Sequence, residues 1–185
     1  MIREASRQDA EAIVDLFKVI LTDMELPIMS QVTWDDLRPA MVHAVRSESF
    51  IQGYKNALLK EIDGEIAGFC FSYPGGSADQ YDQLSDLISA YKLPPFETFI
   101  EGETFEGEWY LDSIVTKDTF RGKGIGKELM QAVYDKAKSE GFTVVGLNVD
   151  HDNPRALKLY EAQGFQKVKE VMIAGHHYDH MQKKV

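Results

Sequence analysis

Apolar residues recur at helical spacing at Ala12, Ile13, Leu16, Phe17, Ile20 and Leu21, which predicts a first helix. Met1 to Ala5 reads as a short strand before it. Ser6, with Asp9 three residues on, has the form of a capping box. A second helical stretch opens near Thr33. Pro39 falls within it and is expected to break it, kink it or mark a fresh first turn, while Met41, Val42 and Val45 continue an apolar face. Asn56 to Lys60 and Glu65 to Tyr73 then read as two strands. Asp63-Gly64 between them is a hairpin signal, and Pro74-Gly75-Gly76 ends the second.

Ser77 to Gly107 reads as an insertion. Its first half has Tyr81, Leu84, Leu87, Ile88 and Tyr91 at helical spacing, stopped by Pro94-Pro95. Its second half carries Glu97, Glu101, Glu103 and Glu106, with Glu108 just beyond. The order after that is regular. Trp109 to Thr116 is a strand. Ile125 to Ser139 is a helix with Leu129, Met130, Val133 and Ala137 on one face, and Gly141 stands where a left-handed cap residue belongs. Thr143 to Val149 is an apolar strand. Asn153-Pro154 is a helix cap followed by proline at the first helical position, and that helix runs to Ala162. Gln166 to Ile173 and His177 to Gln182 are two last strands, joined near Gly175. The alternation predicts an α/β (α+β) mixed sheet flanked by helices, in a single domain over 1–185.

The stretch richest in chemistry is the turn Arg121-Gly-Lys-Gly-Ile-Gly-Lys127, between a strand and a helix. Helix N-terminal amides are unpaired, and the macrodipole favours negative charge there. Glycines at 122, 124 and 126 let a ligand approach the backbone. Arg121, Lys123 and Lys127 add positive charge, so a pyrophosphate is the natural guest. Two other glycine-rich phosphate motifs fail. The Walker pattern would need glycine at Arg121 and a hydroxyl residue at Glu128, and the dinucleotide fingerprint would need glycine at Lys127 or Leu129.

What fits is Arg-x-x-Gly-x-Gly, and with it the chain resembles the GNAT superfamily of N-acetyltransferases. A second block, Asn153-Pro-Arg-Ala-Leu-Lys-Leu-Tyr-Glu-Ala-Gln-Gly-Phe165, is similar to that superfamily's Asn-x-x-Ala-x-x-Leu-Tyr-x-x-x-Gly-Phe helix. The resemblance implies acetyl-CoA as cosubstrate and transfer of the acetyl group to a primary amine by direct attack, with no metal. It implies that Arg121, Gly122, Lys123, Gly124, Ile125, Gly126 and Lys127 cradle the CoA pyrophosphate. It also implies that the strand end Ile114, Val115 and Thr116 pairs with the pantetheine arm, with Asn153 beside that arm. Tyr160 matches the tyrosine that protonates the departing thiolate.

The base is less direct. An alkylammonium is only about one part in several thousand neutral at pH 7, a handicap of roughly 4–5 kcal/mol, so some group should accept its proton. Where some relatives carry a glutamate, this chain has Asn148, which is no base. Asp112 shares a strand face with Ile114 and Thr116 by period two, and Glu108 is expected on that face too. Asp112 is the residue favoured. His176, His177 and His180, with His151 elsewhere, invite a metal reading, but adjacent strand residues point to opposite faces. His177 or Tyr178 lining the acceptor side is the better use of them.

Charge sharpens the acceptor. The net charge of -10 argues against nucleic acid, because phosphate neutralisation needs a basic surface. It suits a cationic small-molecule amine, which the insertion's carboxylates would attract. Cys70 lies in an apolar run, where a buried thiol is expected. No basic-plus-apolar segment opens the chain and no apolar run approaches membrane-spanning length, so a cytoplasmic location without membrane contact is expected. A homodimer is left open. Two rival functions are a non-catalytic acyl-CoA sensor, which Asn148 favours and Tyr160 opposes, and a protein N-terminal acetyltransferase.

Overall fold

The computed structural model describes residues 1–23, 28–76, 86–94, 103–173 and 175–185. Seven strands form one mixed sheet: β1 (Ile2–Glu4), β2 (Ala57–Ile62), β3 (Glu65–Pro74), β4 (Trp109–Thr116), β5 (Val144–Asp150), β6 (Gln166–Ile173) and β7 (His176–Lys184). Their order across the sheet is β1-β2-β3-β4-β5-β7-β6. The helices are α1 (Ala10–Asp23), α2 (Ile28–Gln31), α3 (Trp34–Arg46), α4 (Ile125–Ser139) and α5 (Pro154–Ala162). Among the described residues no helix is long and apolar enough to cross a membrane.

The chain divides into two compact units. The first comprises Met1–Ser72, Ala78–Glu97 and Ser113–Ala132. Its hairpin β2–β3 is antiparallel and turns at Asp63 (φ 50°) and Gly64 (φ 80°), the two left-handed positions that a tight hairpin turn needs. The apolar stripe of α1 (Ala10, Ile13, Val14, Phe17, Leu21) is buried against Leu59, Phe69, Phe71 and Val45. Phe17 meets Phe69 and Phe71 edge-on at 6.1 and 5.8 Å between ring centres. Rings this deeply buried stabilise a fold by about 1.5–3 kcal/mol each. Cys70 is fully buried in β3, and burial pushes its thiol up to about 12. Gly68 is dictated by packing: a Cβ there would lie 2.6 Å from the Val115 carbonyl oxygen and 3.1 Å from Ile125 Cγ2.

Pro39 neither breaks the helix nor marks a fresh first turn. Thr33 caps α3 by accepting from the Asp36 amide, and the helix runs through Pro39 to Arg46. Burial of Leu37, Ala40, Val42, Ala44 and Val45 outweighs the lost backbone hydrogen bond. Within the inserted segment, residues 86–90 are helical. Tyr91 anchors the stretch after them by a 3.0 Å hydrogen bond between its hydroxyl and His43 Nδ1. Tyr81, Leu84, Glu97 and Glu101 lie outside the described residues.

The second unit comprises Tyr73–Ser77, Thr98–Asp112 and Val133–Val185. β7 is central to it, antiparallel to β5 from Val144↔Lys184 to Asp150↔Tyr178 and to β6 on its other side. β4 pairs with β5 in parallel at Trp109↔Val145 and Tyr110↔Gly146. α4 ends in a left-handed Gly141 (φ 85°), with the Phe142 amide returning to the Ala137 carbonyl at 2.9 Å. That satisfies a carbonyl which would otherwise be orphaned.

Glu108 does not stand open toward an incoming amine, as a carboxylate of the acidic run is expected to. Glu108 is 1% exposed and precedes the first residue of β4. Its carboxylate accepts from the Phe105 amide (2.8 Å), from Gln182 Nε2 (2.8 Å) and from His180 Nε2 (3.0 Å). Two glycines make room for it. A Cβ at Gly146 would lie 2.0 Å from Glu108 Oε2, and one at Gly75 would lie 2.9 Å from Glu108 Cγ. Gly146→Ala should therefore push the carboxylate off its donors and cost about 3–5 kcal/mol, the scale of breaking a buried charge pair. In a Glu108→Ala background the same change should cost far less. Urea denaturation of the four proteins measures both, and equal costs in the two backgrounds would refute the explanation.

Candidate functional site

The turn before α4 opens with Asp118–Phe120 in a short 3-10 helix. Gly122 (φ 78°) and Gly124 (φ 82°) adopt the left-handed conformation that side chains resist. Glu128 is the first residue whose amide returns to the helix, donating to the Gly124 carbonyl at 3.1 Å; the amides before it are those a helix N-terminus offers to an anion. Arg121 is exposed and pairs with Asp118 at 2.8 Å. Lys123 stands 4.7 Å over the Phe120 ring. Gly126 is the informative residue. Its φ is not left-handed, and a Cβ there would touch nothing within 4 Å. Neither strain nor packing within the chain calls for glycine at that position, and glycine in a helix costs about 1 kcal/mol relative to alanine. A phosphate group seated on the amides would call for it, so these residues fit a pyrophosphate.

β4 alternates as expected. Trp109, Tyr110, Leu111, Ser113 and Val115 are buried, while Asp112, Ile114 and Thr116 are half-buried on one face. Asp112 accepts from the Tyr73 hydroxyl at 3.0 Å. Glu103 accepts from the Tyr110 hydroxyl at 3.0 Å. The two tyrosine rings lie 5.7 Å apart. Burial first, then the nearby carboxylates, raise both phenols well above their usual range. Burial, reinforced by the charge of Asp112, pushes Glu103 up to about 7.

Asn148 ties this cluster to the buried Glu108. Its Nδ2 donates to the Glu103 backbone carbonyl (2.9 Å) and to the Tyr110 oxygen (3.0 Å). A carbonyl can only accept, so the amide orientation is fixed and Oδ1 faces His180 Nδ1 at 2.7 Å. His180 thus meets an acceptor at Nδ1 and a carboxylate at Nε2. The Glu108–His180 pair is fully buried, at 1% and 0% exposure.

α5 is capped by Asn153, whose Oδ1 accepts from the Ala156 amide at 3.0 Å. None of its residues is fully buried, and Leu159 is 39% exposed. Tyr160 is half-buried and meets Phe165 edge-on at 5.9 Å. Burial pushes its phenol up to about 12, so it is protonated at neutral pH. The Tyr134 hydroxyl, also raised to about 12 by burial and by the charge of Tyr160, is buried with no hydrogen-bond partner among the described residues. His177 is exposed and pairs with Glu170 at 3.0 Å. Tyr178 is buried beside Asp150, and its phenol is raised by burial and by Asp150. His151, Glu170 and Asp179 offer ligand atoms within 4.8 Å of one another, but Lys167 Nζ already lies 2.6 Å from Asp179.

A family model described as the acetyltransferase (GNAT) family matches residues 21–165, well over half of the chain. The chain belongs to the GNAT family. A solved acetyltransferase is 40% identical to this GNAT chain, with a TM-score of 0.84 and coverage of 100% of this chain and 99% of that one. An N-acetyltransferase from Staphylococcus aureus Mu50 is 26% identical, with a TM-score of 0.86 and coverage of 99% and 100%. Among curated proteins, GCN5-related N-acetyltransferase 4, chloroplastic, of Arabidopsis thaliana is 38% identical over 60 residues, 32% of this chain and 21% of that protein. The chain spans less than half the length of the curated relatives it matches.

The structure brings Asp112 together with Glu103, one of the insertion's carboxylates. It also gives Asn148 and His180 places that their motif context did not suggest. A usable signal existed on β4, where period two sets Tyr110 and Asp112 about 7 Å apart along one strand. For the GNAT turn, Gly126→Ala is the decisive change. Thermal unfolding should show the fold unharmed or steadier by up to about 1 kcal/mol, while calorimetry should show at least tenfold weaker CoA binding. Unchanged affinity would remove the turn from the pyrophosphate site.

Proposed function

We propose that this protein is an acetyl-CoA-dependent N-acetyltransferase that acetylates a small primary amine by direct attack. The observation that carries this reading is the Arg121–Lys127 turn, whose Gly126 answers to no demand of the fold. Family membership supports the same cosubstrate. In this reading the backbone amides from Gly122 to Lys127 hold the pyrophosphate, with Arg121, Lys123 and Lys127 as cations around it. The end of β4, Ile114 to Thr116, offers backbone groups to the pantetheine arm, and Asn153 lies beside that arm.

The chemistry is a nucleophilic acyl substitution. The amine nitrogen attacks the thioester carbonyl carbon, the C–N bond forms, the C–S bond breaks, and one proton leaves the nitrogen. Asp112 belongs to the set of groups that draw that proton away. Tyr160 serves the departing sulfur. A phenol raised to about 12 is a weaker acid than a thiol of about 8.5. It therefore stabilises the developing thiolate by donating a hydrogen bond, and solvent completes the protonation. No covalent enzyme intermediate is needed, and the buried Cys70 takes no part.

The acceptor is a cationic amine in this reading, because the groups of unit two that are half-buried rather than sealed include the carboxylates Glu103 and Asp112. Release of CoA with a panel of polyamines, amino acids, aminoglycosides and N-terminal peptides tests it. Turnover of the small cationic amines is expected. Binding of acetyl-CoA with no turnover of any amine would favour a sensor, and turnover of peptides alone would favour protein N-terminal acetylation. Tyr160→Phe should lower kcat roughly 10- to 100-fold, the worth of a hydrogen bond to a charged acceptor, at unchanged acetyl-CoA affinity. A variant with full turnover would make Tyr160 a packing residue.

A further inference from the structure

We propose that Glu103 is the catalytic residue that accepts the substrate ammonium's proton, with Asp112, Tyr110 and Asn148 as the residues that position and tune it. The proposal rests on the acetyl-transfer reading above and departs from the sequence-based choice of Asp112 as the base.

The geometry separates the two carboxyls. Glu103 is held at both ends: its backbone carbonyl accepts from Asn148 at 2.9 Å, and its side chain accepts from Tyr110 at 3.0 Å. Asn148 is itself fixed by His180, and His180 by Glu108. The support behind Glu103 is buried, with Tyr110 1%, His180 0% and Glu108 1% exposed, whereas Glu103 and Asp112 are each half-buried. A sealed scaffold thus holds a half-buried pair, Glu103 and Asp112. Rigid support of this kind is what a proton acceptor needs.

Burial and a neighbouring charge raise the proton affinity of Glu103. The groups facing Glu103 are Tyr73 from β3, Tyr110 and Asp112 from β4, the uncharged Asn148 from β5, and Tyr178 from β7; the Glu108–His180 pair lies behind. Among the described residues none of those facing it is a cation. Burial and the Asp112 charge therefore favour a neutral Glu103, and its proton affinity rises to about 7, near the optimum for a base working at neutral pH. A cationic amine brings the missing positive charge. In the step itself the N–H bond of the ammonium breaks, its electron pair becomes the nucleophile, and the proton passes to a Glu103 carboxylate oxygen and from there to water.

The sign of the stability effect follows. Glu103 rises from an ordinary value of 4.5 to about 7, so the fold favours its protonated form. Its contribution is full below pH 4.5 and is lost as pH rises through 7.

The test uses the whole chain in three steps. Carboxyl 13C NMR, with Glu103→Gln to assign the signal, should show Glu103 titrating near pH 7. A midpoint near 4.5 overturns the proposal with no acceptor needed. With the best amine of the panel, kcat/KM should rise with pH through a limb near 7. Glu103→Gln should lose that limb and about 10²- to 10⁴-fold in kcat, with acetyl-CoA affinity retained. An unchanged limb overturns the role of Glu103 while leaving acetyl transfer standing, whereas no turnover of any amine overturns both. Two further variants guard against a misfolded Glu103→Gln. Asp112→Asn removes the neighbouring charge and should move the limb to lower pH. Tyr110→Phe removes a hydrogen bond that stabilises the carboxylate and should move it to higher pH. Shifts opposite to these, or none, refute the assignment.

Discussion

A buried carboxylate organises the second unit. Glu108 cannot be solvated where it sits, so the fold must supply every partner it needs. Gln182, the Phe105 amide and His180 do so. Each supplier is then constrained in turn. His180 meets Glu108 through Nε2 and the Asn148 oxygen through Nδ1. That orientation leaves the Asn148 nitrogen for Glu103 and Tyr110. Gly146 and Gly75 have to be glycine because the carboxylate and its stem occupy the space a side chain would take. An arrangement of this kind is a poor source of net stability, since a packed apolar replacement would avoid the desolvation cost. What it provides is a fixed position for residues 103–108, and so for Glu103.

The glycines divide by the cause that requires them. Gly68, Gly75 and Gly146 answer to neighbours inside the chain, and a Cβ at any of them collides within 3 Å. Gly122 and Gly124 answer to backbone conformation, with φ near 80°. Gly126 answers to neither. Helix propensity alone would favour alanine at that position, so the residue is best explained by something outside the chain that comes close to the backbone. A motif match says that a turn looks like an anion site. The open space around one unforced glycine shows where such an anion would come close.

Much of this was legible in the sequence because it is local. Strand β4 and helix α4 fell where alternation and helical spacing put them, and Asp63-Gly64, Gly141 and Asn153 act as turn and cap as their residue types require. Pro39 misled because the local cost of proline was weighed without the buried face of α3 that overrides it. Glu103 and Glu108 could not be told apart for a related reason. In sequence both belong to one acidic run expected to draw a cation, yet Glu108 is sealed and Glu103 half-buried. Their surroundings are set by Gly146, Asn148, His180 and Gln182, which are 38 or more residues away and announce nothing about the contact. Asn148 is no base, but an amide both donates and accepts, and so joins His180 on one side to a carbonyl and a phenol on the other.

In the proposed reaction, removal from water shifts Tyr160 and Glu103 in the same direction with opposite chemical effect. Burial raises Tyr160 to about 12 and Glu103 to about 7, because in both cases it disfavours the anion. For the phenol this means that the proton stays in place, ready to be shared with a leaving thiolate. For the carboxyl it means a stronger base. An alkylammonium of about 10.4 facing a carboxylate of 4.5 would have to give up its proton about six units uphill, whereas facing one of about 7 the gap is roughly half as large. Asp112 contributes to that gain only by being charged and close, which is why a second carboxylate beside the first is an asset here and not a redundancy.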